Sequence, residues 1–335
     1  MTATAILPRI TVLATGGTIA GEAGDAIRHD YRPGQLGIDA FLDRLAQLPI
    51  AAQLAGKQIA NIGSEDISSA VWAALHRDCS AALADPGCDG VIITHGTDTV
   101  EETAFLLDLT LPTNKPVVLV GSMRPADAVG YDGLRNFANA LQVACDADAA
   151  GRGVLVVMGD KAIAARDIRK ARTRGLDAFE GFPRASVALV SPSALEWFGA
   201  PWRAGDDGAG EDARLAFPQA WPDVPILTIH AGMTPDYVDR TLTPETRGIV
   251  IAGLGEGNMP DGVRGALAAR AKDGLLVVRA SRVDEGLVDR APEDSANHFI
   301  AARALGPPKA RILLSVLIAN GIGVPCEIQR WFDGR

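Results

Sequence analysis

Gly90-Val-Ile-Ile-Thr94 runs directly into His95-Gly96-Thr97-Asp98-Thr99, and that turn runs into Val100-Glu-Glu-Thr-Ala-Phe-Leu-Leu-Asp-Leu-Thr110. A short β-branched run, a glycine turn and a longer helix-like stretch read as strand, turn and helix. Similar apolar runs occur at Ile10–Ala14, Pro116–Val120 and Val154–Met158. Their near-continuous hydrophobicity suggests strands covered on both faces, as in a parallel sheet. Helix-like stretches at Ile67–Leu83 and Gly133–Ala144 fall between them. This alternation predicts an α/β fold whose mostly parallel sheet is flanked by helices.

The pattern breaks over Glu196–Pro222, which holds Pro201, Gly205, Asp206, Asp207, Gly208, Gly210 and Pro222 and no periodic apolar face. Beyond it, strands are expected at Ile226–Ile229, Gly248–Ala252, Leu275–Arg279 and Ile312–Leu317. The expected organisation is a large N-terminal domain over 1–196, a linker over 197–222 and a smaller C-terminal α/β domain over 223–335. No fixed-period repeat appears, and the alanine-rich patch at Ala144–Ala150 reads as a helix end and turn.

Composition narrows the function. The 335 residues carry 32 Lys and Arg against 41 Asp and Glu, a net charge of −9. An acidic chain without a basic block is a poor partner for nucleic acid, because neutralising phosphates needs clustered cations. No apolar run approaches the roughly 18–20 residues that span a bilayer, so no membrane partner is expected. Met1–Ala14 lacks a positive segment followed by a long apolar core, so no secretory signal is read there. Cys79, Cys88, Cys145 and Cys326 lie far apart with no C-x-x-C, which favours buried thiols over disulfides or zinc. The five histidines are scattered, and neither metal nor organic cofactor is expected. Together these features predict a soluble cytoplasmic protein.

Two of the predicted strands end in similar turns, Thr15-Gly16-Gly17-Thr18-Ile19-Ala20-Gly21 and His95-Gly96-Thr97-Asp98-Thr99. Ligands of open α/β sheets bind outside the carboxyl ends of the strands. Adjacent glycines let backbone approach a ligand and aim N–H groups at an anionic oxygen. A threonine after each turn brings a hydroxyl to the same crevice, and Asp98 adds charge. Either turn alone also reads as an ordinary strand-to-helix connection. Nucleotide binding has little support: there is no G-x-x-x-x-G-K-[ST], and Gly253-Leu-Gly255-Glu-Gly257-Asn258 lacks the G-x-G-x-x-G spacing. The G-x-S-x-G elbow and H-E-x-x-H are absent as well.

Taken together, Thr15–Gly21 and Thr94–Thr103 resemble the two signatures of the bacterial-type L-asparaginases. Gly121-Ser-Met-Arg-Pro125, Arg166-Asp-Ile-Arg-Lys170, Gly253–Asn258 and Pro307-Pro-Lys-Ala-Arg311 extend the resemblance over essentially the whole chain. It implies hydrolysis of the side-chain amide of free L-asparagine, and more weakly of L-glutamine, to the acid and ammonia. Comparable use of both amides is the alternative within the family.

The resemblance also implies roles, residue by residue. Thr18 resembles the primary nucleophile, on a loop that closes over substrate, and Tyr31 the loop tyrosine that contacts it. A threonine hydroxyl is a weak nucleophile until a neighbour takes its proton. Thr97, Asp98 and Lys170 resemble a second catalytic group, in which a partly desolvated lysine acts as base toward a hydroxyl beside a balancing carboxylate. Read alone, Lys170 in the charged stretch 166–174 is a solvated surface cation.

A zwitterionic substrate needs carboxylates for its ammonium and hydroxyl or N–H donors for its carboxylate. Ser64 and Glu65 resemble the segment that supplies both, and the family carries Gln or Glu where this chain has Glu65. Locally, Ser64 also reads as a helix N-cap before Ile67–Leu83. The backbone of the two turns, Gly17 and Gly96 included, would stabilise the oxyanion.

Asn258 resembles a residue reaching a neighbouring subunit's site, which implies a dimer at minimum and a tetramer built from dimers as the family norm. Locally it is a turn Asn after Gly257. For the acidic residue that crosses the same interface, Glu293 is the nearest candidate, with Asp289 and Asp294 as alternatives. Periplasmic members of the family often link the helix near Cys79 to the loop near Thr113 by a disulfide, and this chain has no cysteine at 111–115. Two other classes remain: a self-cleaving hydrolase exposing an N-terminal threonine, and a non-catalytic amino-acid sensor.

Overall fold

The computed structural model describes residues 7–22, 32–46, 50–112, 114–200 and 214–334. The chain divides into two compact units, Met1–Arg203 and Ala204–Arg335.

In the first unit the elements are β1 (Arg9–Gly16), α1 (Ile38–Leu45), β2 (Gln53–Ile62), α2 (Ser69–Ala84), β3 (Gly90–Thr94), α3 (Val100–Thr110), β4 (Val117–Val120), α4 (Gly133–Ala144) and β5 (Val154–Met158). They continue with β6 (Lys161–Ala164), β7 (Ile168–Lys170), β8 (Phe179–Gly181), β9 (Ala188–Val190) and β10 (Leu195–Trp197). One sheet has the order β10-β9-β6-β5-β4-β3-β1-β2. The run from β5 to β2 is parallel, and β6, β9 and β10 extend it antiparallel. A separate hairpin pairs β7 with β8.

Alternation along the central strands explains the layers. Ile10, Val12, Ile92, Val118, Val120 and Leu155 face a core shared with Phe41 of α1 and Phe137 of α4. Leu13, Val91, Ile93, Val117, Leu119 and Val156 face the opposite core, with Leu75 and Cys79 of α2 and Leu107 of α3. Both sets are buried, so the strands read as continuous apolar runs. β2 did not stand out in the sequence because it is an edge strand, exposed along most of its length, with its apolar residues interrupted by Gly56, Lys57, Gln58 and Asn61.

The second unit holds β11 (Ile226–Thr228), α5 (Asp236–Thr241), β12 (Gly248–Gly253), α6 (Asp261–Lys272), β13 (Leu276–Ser281), α7 (Asp294–Asn297), β14 (Phe299–Ala301), α8 (Pro307–Ala319) and α9 (Pro325–Phe332). Its sheet, β11-β12-β13-β14, is parallel throughout. Ile249, Ile251 and Val277 pack on Val263 and Leu267 of α6, while α8 covers β12 and β13.

Three local expectations are corrected. Ile312–Leu317, expected as a strand, is the middle of α8, in which every residue from Ile312 to Leu317 is buried. A short apolar run buried on all sides has no readable period, and the helix is set by its length and by Pro307–Pro308 in its first turn. Glu196 and Trp197, expected in the irregular excursion, lie in β10 and pair with Leu189 and Ala188 of β9. Ser64 does not cap α2. Ser68 does, accepting from the Val71 N–H at 3.4 Å. Of the four thiols, Cys79 and Cys88 are buried, Cys145 is half-buried and Cys326 is exposed; all are free.

Candidate active site

The carboxyl ends of β3, β1 and β2 lie side by side, because β1 pairs in parallel with both neighbours. Each strand then opens into a turn: His95-Gly96-Thr97-Asp98 after β3, Gly17-Thr18 after β1 and Gly63-Ser64-Glu65 after β2. A pocket is lined by Gly17, Thr18, Pro33, Gly63, Ser64, Glu65, Gly96, Thr97 and Asp98. Thr15 ties two of the strand ends together, its hydroxyl donating to the Thr94 carbonyl at 3.0 Å.

Glycine makes the approach possible. Gly17 takes φ 81°, which disfavours any side chain, and a Cβ there would collide with the Gly96 backbone. A Cβ on Gly96 would lie 2.8 Å from Ser64 Oγ. A Cβ on Gly63 would strike the Glu65 carboxylate, which folds back over it. The Gly17 N–H is bonded to the Ile62 carbonyl at 2.8 Å. It is therefore committed to β2 and not available to an oxyanion, contrary to the simplest reading of that turn.

Thr18, Ser64 and Thr97 are buried, at 6%, 4% and 6% exposure, and all three line the pocket. Lys170, at the end of β7, donates from Nζ to Thr97 Oγ1 at 2.9 Å and to Asp98 Oδ1 at 2.5 Å. The lysine side chain is 18% exposed and that of Asp98 60%, so the carboxylate meets solvent while the ammonium is sheltered. The Lys170 N–H donates to Glu101 Oε2 at 3.0 Å, which fixes the hairpin against α3. Ser64 Oγ accepts from the Asp98 N–H at 3.1 Å, and the Thr99 hydroxyl donates to the Ser64 carbonyl at 2.7 Å.

Behind the turn, His95 is fully buried, with Nδ1 2.7 Å from the Gly96 carbonyl. Burial pushes its pKa down to about 4, the hydrogen bond opposing only in part. A carbonyl oxygen can only accept, so Nδ1 of the neutral ring carries the proton and donates to it. Among the described residues no group of three or more His, Cys, Asp or Glu side chains is placed to hold a metal ion.

The structure thus gathers Gly17, Thr18, Ser64, Glu65, Gly96, Thr97 and Asp98 in one pocket and bonds Lys170 to two of them. Tyr31 lies outside the described residues. Asn258 and Glu293 belong to the second unit. Asn258 is exposed and closes a tight turn, exchanging backbone bonds with Leu254 at 2.8 and 2.7 Å. Glu293 is 51% exposed and pairs with Arg264 at 3.4 Å. Asp294 is committed elsewhere, bonded at 2.7 and 2.6 Å to the buried Arg279 guanidinium. Asp289 pairs with Arg303 and is exposed.

Pro33, Gly63 and Glu101 were not singled out from the sequence as site residues. Pro33 carries no motif, and Gly63 follows the edge strand that the apolar pattern did not disclose. Glu101 was visible in the second signature, but its bond to a backbone N–H 69 residues away was not.

Comparison with known proteins agrees with this architecture. The family model "Asparaginase, N-terminal" matches residues 9–203, and "Glutaminase/Asparaginase C-terminal domain" matches 223–332. A probable periplasmic L-asparaginase of Haemophilus influenzae is 38% identical, over 98% of this chain and 93% of that protein. The glutaminase-asparaginase of Pseudomonas fluorescens is 33% identical, over 97% and 90%. The crystal structure of a probable cytoplasmic L-asparaginase from Campylobacter jejuni superposes with a TM-score of 0.91 at 34% identity, covering 98% of this chain and all of that one. By sequence match along both units and by fold, this chain belongs to the asparaginase family of amidohydrolases.

Proposed function

We propose that the chain hydrolyses the side-chain amide of free L-asparagine, and more weakly that of L-glutamine, through a threonine nucleophile. The observation that carries this reading is the bonded set Thr97–Lys170–Asp98 on the wall of a pocket that also holds Thr18. In this reading Thr18 Oγ attacks the amide carbon, and its hydroxyl proton passes to the departing nitrogen, so that the C–N bond breaks and ammonia leaves. Water then adds to the acyl-enzyme, returning a proton to Thr18 Oγ as aspartate is released. The Lys170 ammonium, placed between Thr97 and Asp98, moves protons and polarises the Thr97 hydroxyl. The Thr97 N–H, which meets no backbone carbonyl among the described residues, is the natural oxyanion donor. Ser64, Glu65 and Asp98 grip the α-amino and α-carboxylate groups.

Comparable use of both amides is the second reading, favoured by the Pseudomonas fluorescens relative. Steady-state ammonia release from each amide separates the two. Near-wild-type release by both Thr18→Ala and Thr97→Ala would sink the threonine mechanism. Binding of asparagine without any ammonia would instead mark an amino-acid sensor.

The assembly in this reading is a tetramer built from dimers, with Asn258 and Glu293 reaching a neighbouring subunit's site. A monomeric mass in sedimentation velocity would count against it. The compartment follows the Campylobacter relative, cytoplasmic, and cell fractionation tests it.

A further inference from the structure

The residues flanking Thr18 are held from both directions. On one side the Gly17 N–H donates to the Ile62 carbonyl of β2 at 2.8 Å. On the other, the Tyr131 hydroxyl donates to the Ile19 carbonyl at 2.7 Å, across 112 positions of sequence. Two residues further on, the Gly21 carbonyl accepts from the Ala126 N–H at 2.8 Å. Both of these last donors come from the segment that follows Gly121-Ser-Met-Arg-Pro125.

That segment is itself rigidly built. The buried Asp132 carboxylate accepts from the Met123 and Arg124 N–H groups at 3.0 Å each and from Asn136 Nδ2 at 2.9 Å. The Tyr131 N–H closes a turn onto the Ala128 carbonyl at 3.1 Å. The tyrosine ring lies across Gly133, the first residue of α4, where any Cβ would overlap the phenol. Tyr131 packs among the apolar residues that also bury Ile19 and Ala20. Burial, reinforced by the neighbouring Asp132 charge, pushes the phenol pKa up, so the hydroxyl stays a donor. None of these groups lines the pocket.

We infer that Tyr131 is a positioning residue for the reaction. Its hydroxyl anchors the peptide next to Thr18 and so sets where the Thr18 Oγ stands against Thr97 and the substrate. The inference rests on Thr18 being the nucleophile. It assigns a catalytic consequence to the pair Tyr131–Gly133, which together shape the clamp.

The test compares wild type, Tyr131→Phe, Gly133→Ala and the exposed neighbour variant Val129→Ala. Two readouts are used: kcat and KM for ammonia release from L-asparagine, and hydrogen–deuterium exchange of peptides covering residues 16–22. Tyr131→Phe keeps the ring and loses only the hydroxyl. It should lower kcat about tenfold, as small displacements of a reacting group do, with KM moving less than about twofold. Exchange over 18–22 should quicken at the same time. Gly133→Ala, which displaces the ring, should show the same split, and Val129→Ala should match wild type. Wild-type kcat in Tyr131→Phe, or unchanged exchange over 18–22, overturns the inference. If wild type itself releases no ammonia, the proposed function fails, and the exchange readout still decides whether Tyr131 anchors the turn.

Discussion

Gly17 and Gly96 stand backbone against backbone at the ends of adjacent parallel strands. A side chain on Gly17 would land on the Gly96 Cα and N, and Gly17 also holds φ 81°. The spacing of the two Gly-Thr turns, and hence of Thr18 and Thr97, depends on there being no side chain between them. Gly17→Ala should therefore lose about 2 kcal/mol or more of stability, from a left-handed φ and a backbone collision together. Urea unfolding reads the stability, and ammonia release should fall with it. A variant that unfolds like wild type would contradict the contact.

Lys170 is the only cation bonded to Thr97 among the described residues. Lys170→Met retains much of the stem and removes the ammonium. A drop of about 10²–10⁴ in kcat is expected for losing a proton-transfer group, with the melting temperature nearly unchanged. Steady-state kinetics beside a thermal melt separates this outcome from simple unfolding.

His95 predicts a specific acid sensitivity. Its pKa falls from 6.5 unfolded to about 4 folded, so between those values the unfolded chain binds more protons than the native one. Stability from this group is complete above pH 6.5 and is lost as the pH falls through about 4. The full loss is about 3 kcal/mol by linkage. His95→Asn keeps a donor for the Gly96 carbonyl but cannot titrate. The difference in unfolding free energy between the two proteins should grow on moving from pH 7 to pH 4.5 in the variant's favour. A constant difference would remove His95 as the source.

In the second unit, Arg279 and Asp294 form an ion pair with side chains only 4% and 7% exposed. The same guanidinium donates to the Glu256 carbonyl at 3.0 Å and the Asp289 carbonyl at 2.9 Å. Asp294→Ala leaves a buried charge without its partner and should cost about 3–5 kcal/mol. Calorimetry would check the loss, and exchange over 254–258 should rise in parallel.

Some of this was legible in the chain. The strands β1, β3, β4 and β5 announce themselves because both of their faces are buried, and the two threonine turns follow two of them directly. Ile312–Leu317 shows the limit. Six buried residues in a row carry no period, so helix and strand look alike until length and the preceding prolines are weighed. β2 fails for the opposite reason: an edge strand needs little apolar surface, so Gly63 and the placement of Ser64 stayed hidden.

The amino-acid order alone determined the fold class and the family resemblance, because buried strands and glycine turns leave local marks in composition and spacing. It also named Thr18, Thr97, Asp98 and Lys170, though only through motifs. Their convergence was decided by tertiary structure. Parallel pairing of β3, β1 and β2 sets three turns side by side, and a hairpin 73 residues after Thr97 delivers Lys170 to its hydroxyl. Nothing local to Lys170 distinguishes it from a solvated surface lysine. Nothing local to Tyr131 shows that its hydroxyl meets Ile19. Hydrogen bonds between residues far apart in sequence exist only once the sheet has brought their backbones together, and that is where the site's geometry is made.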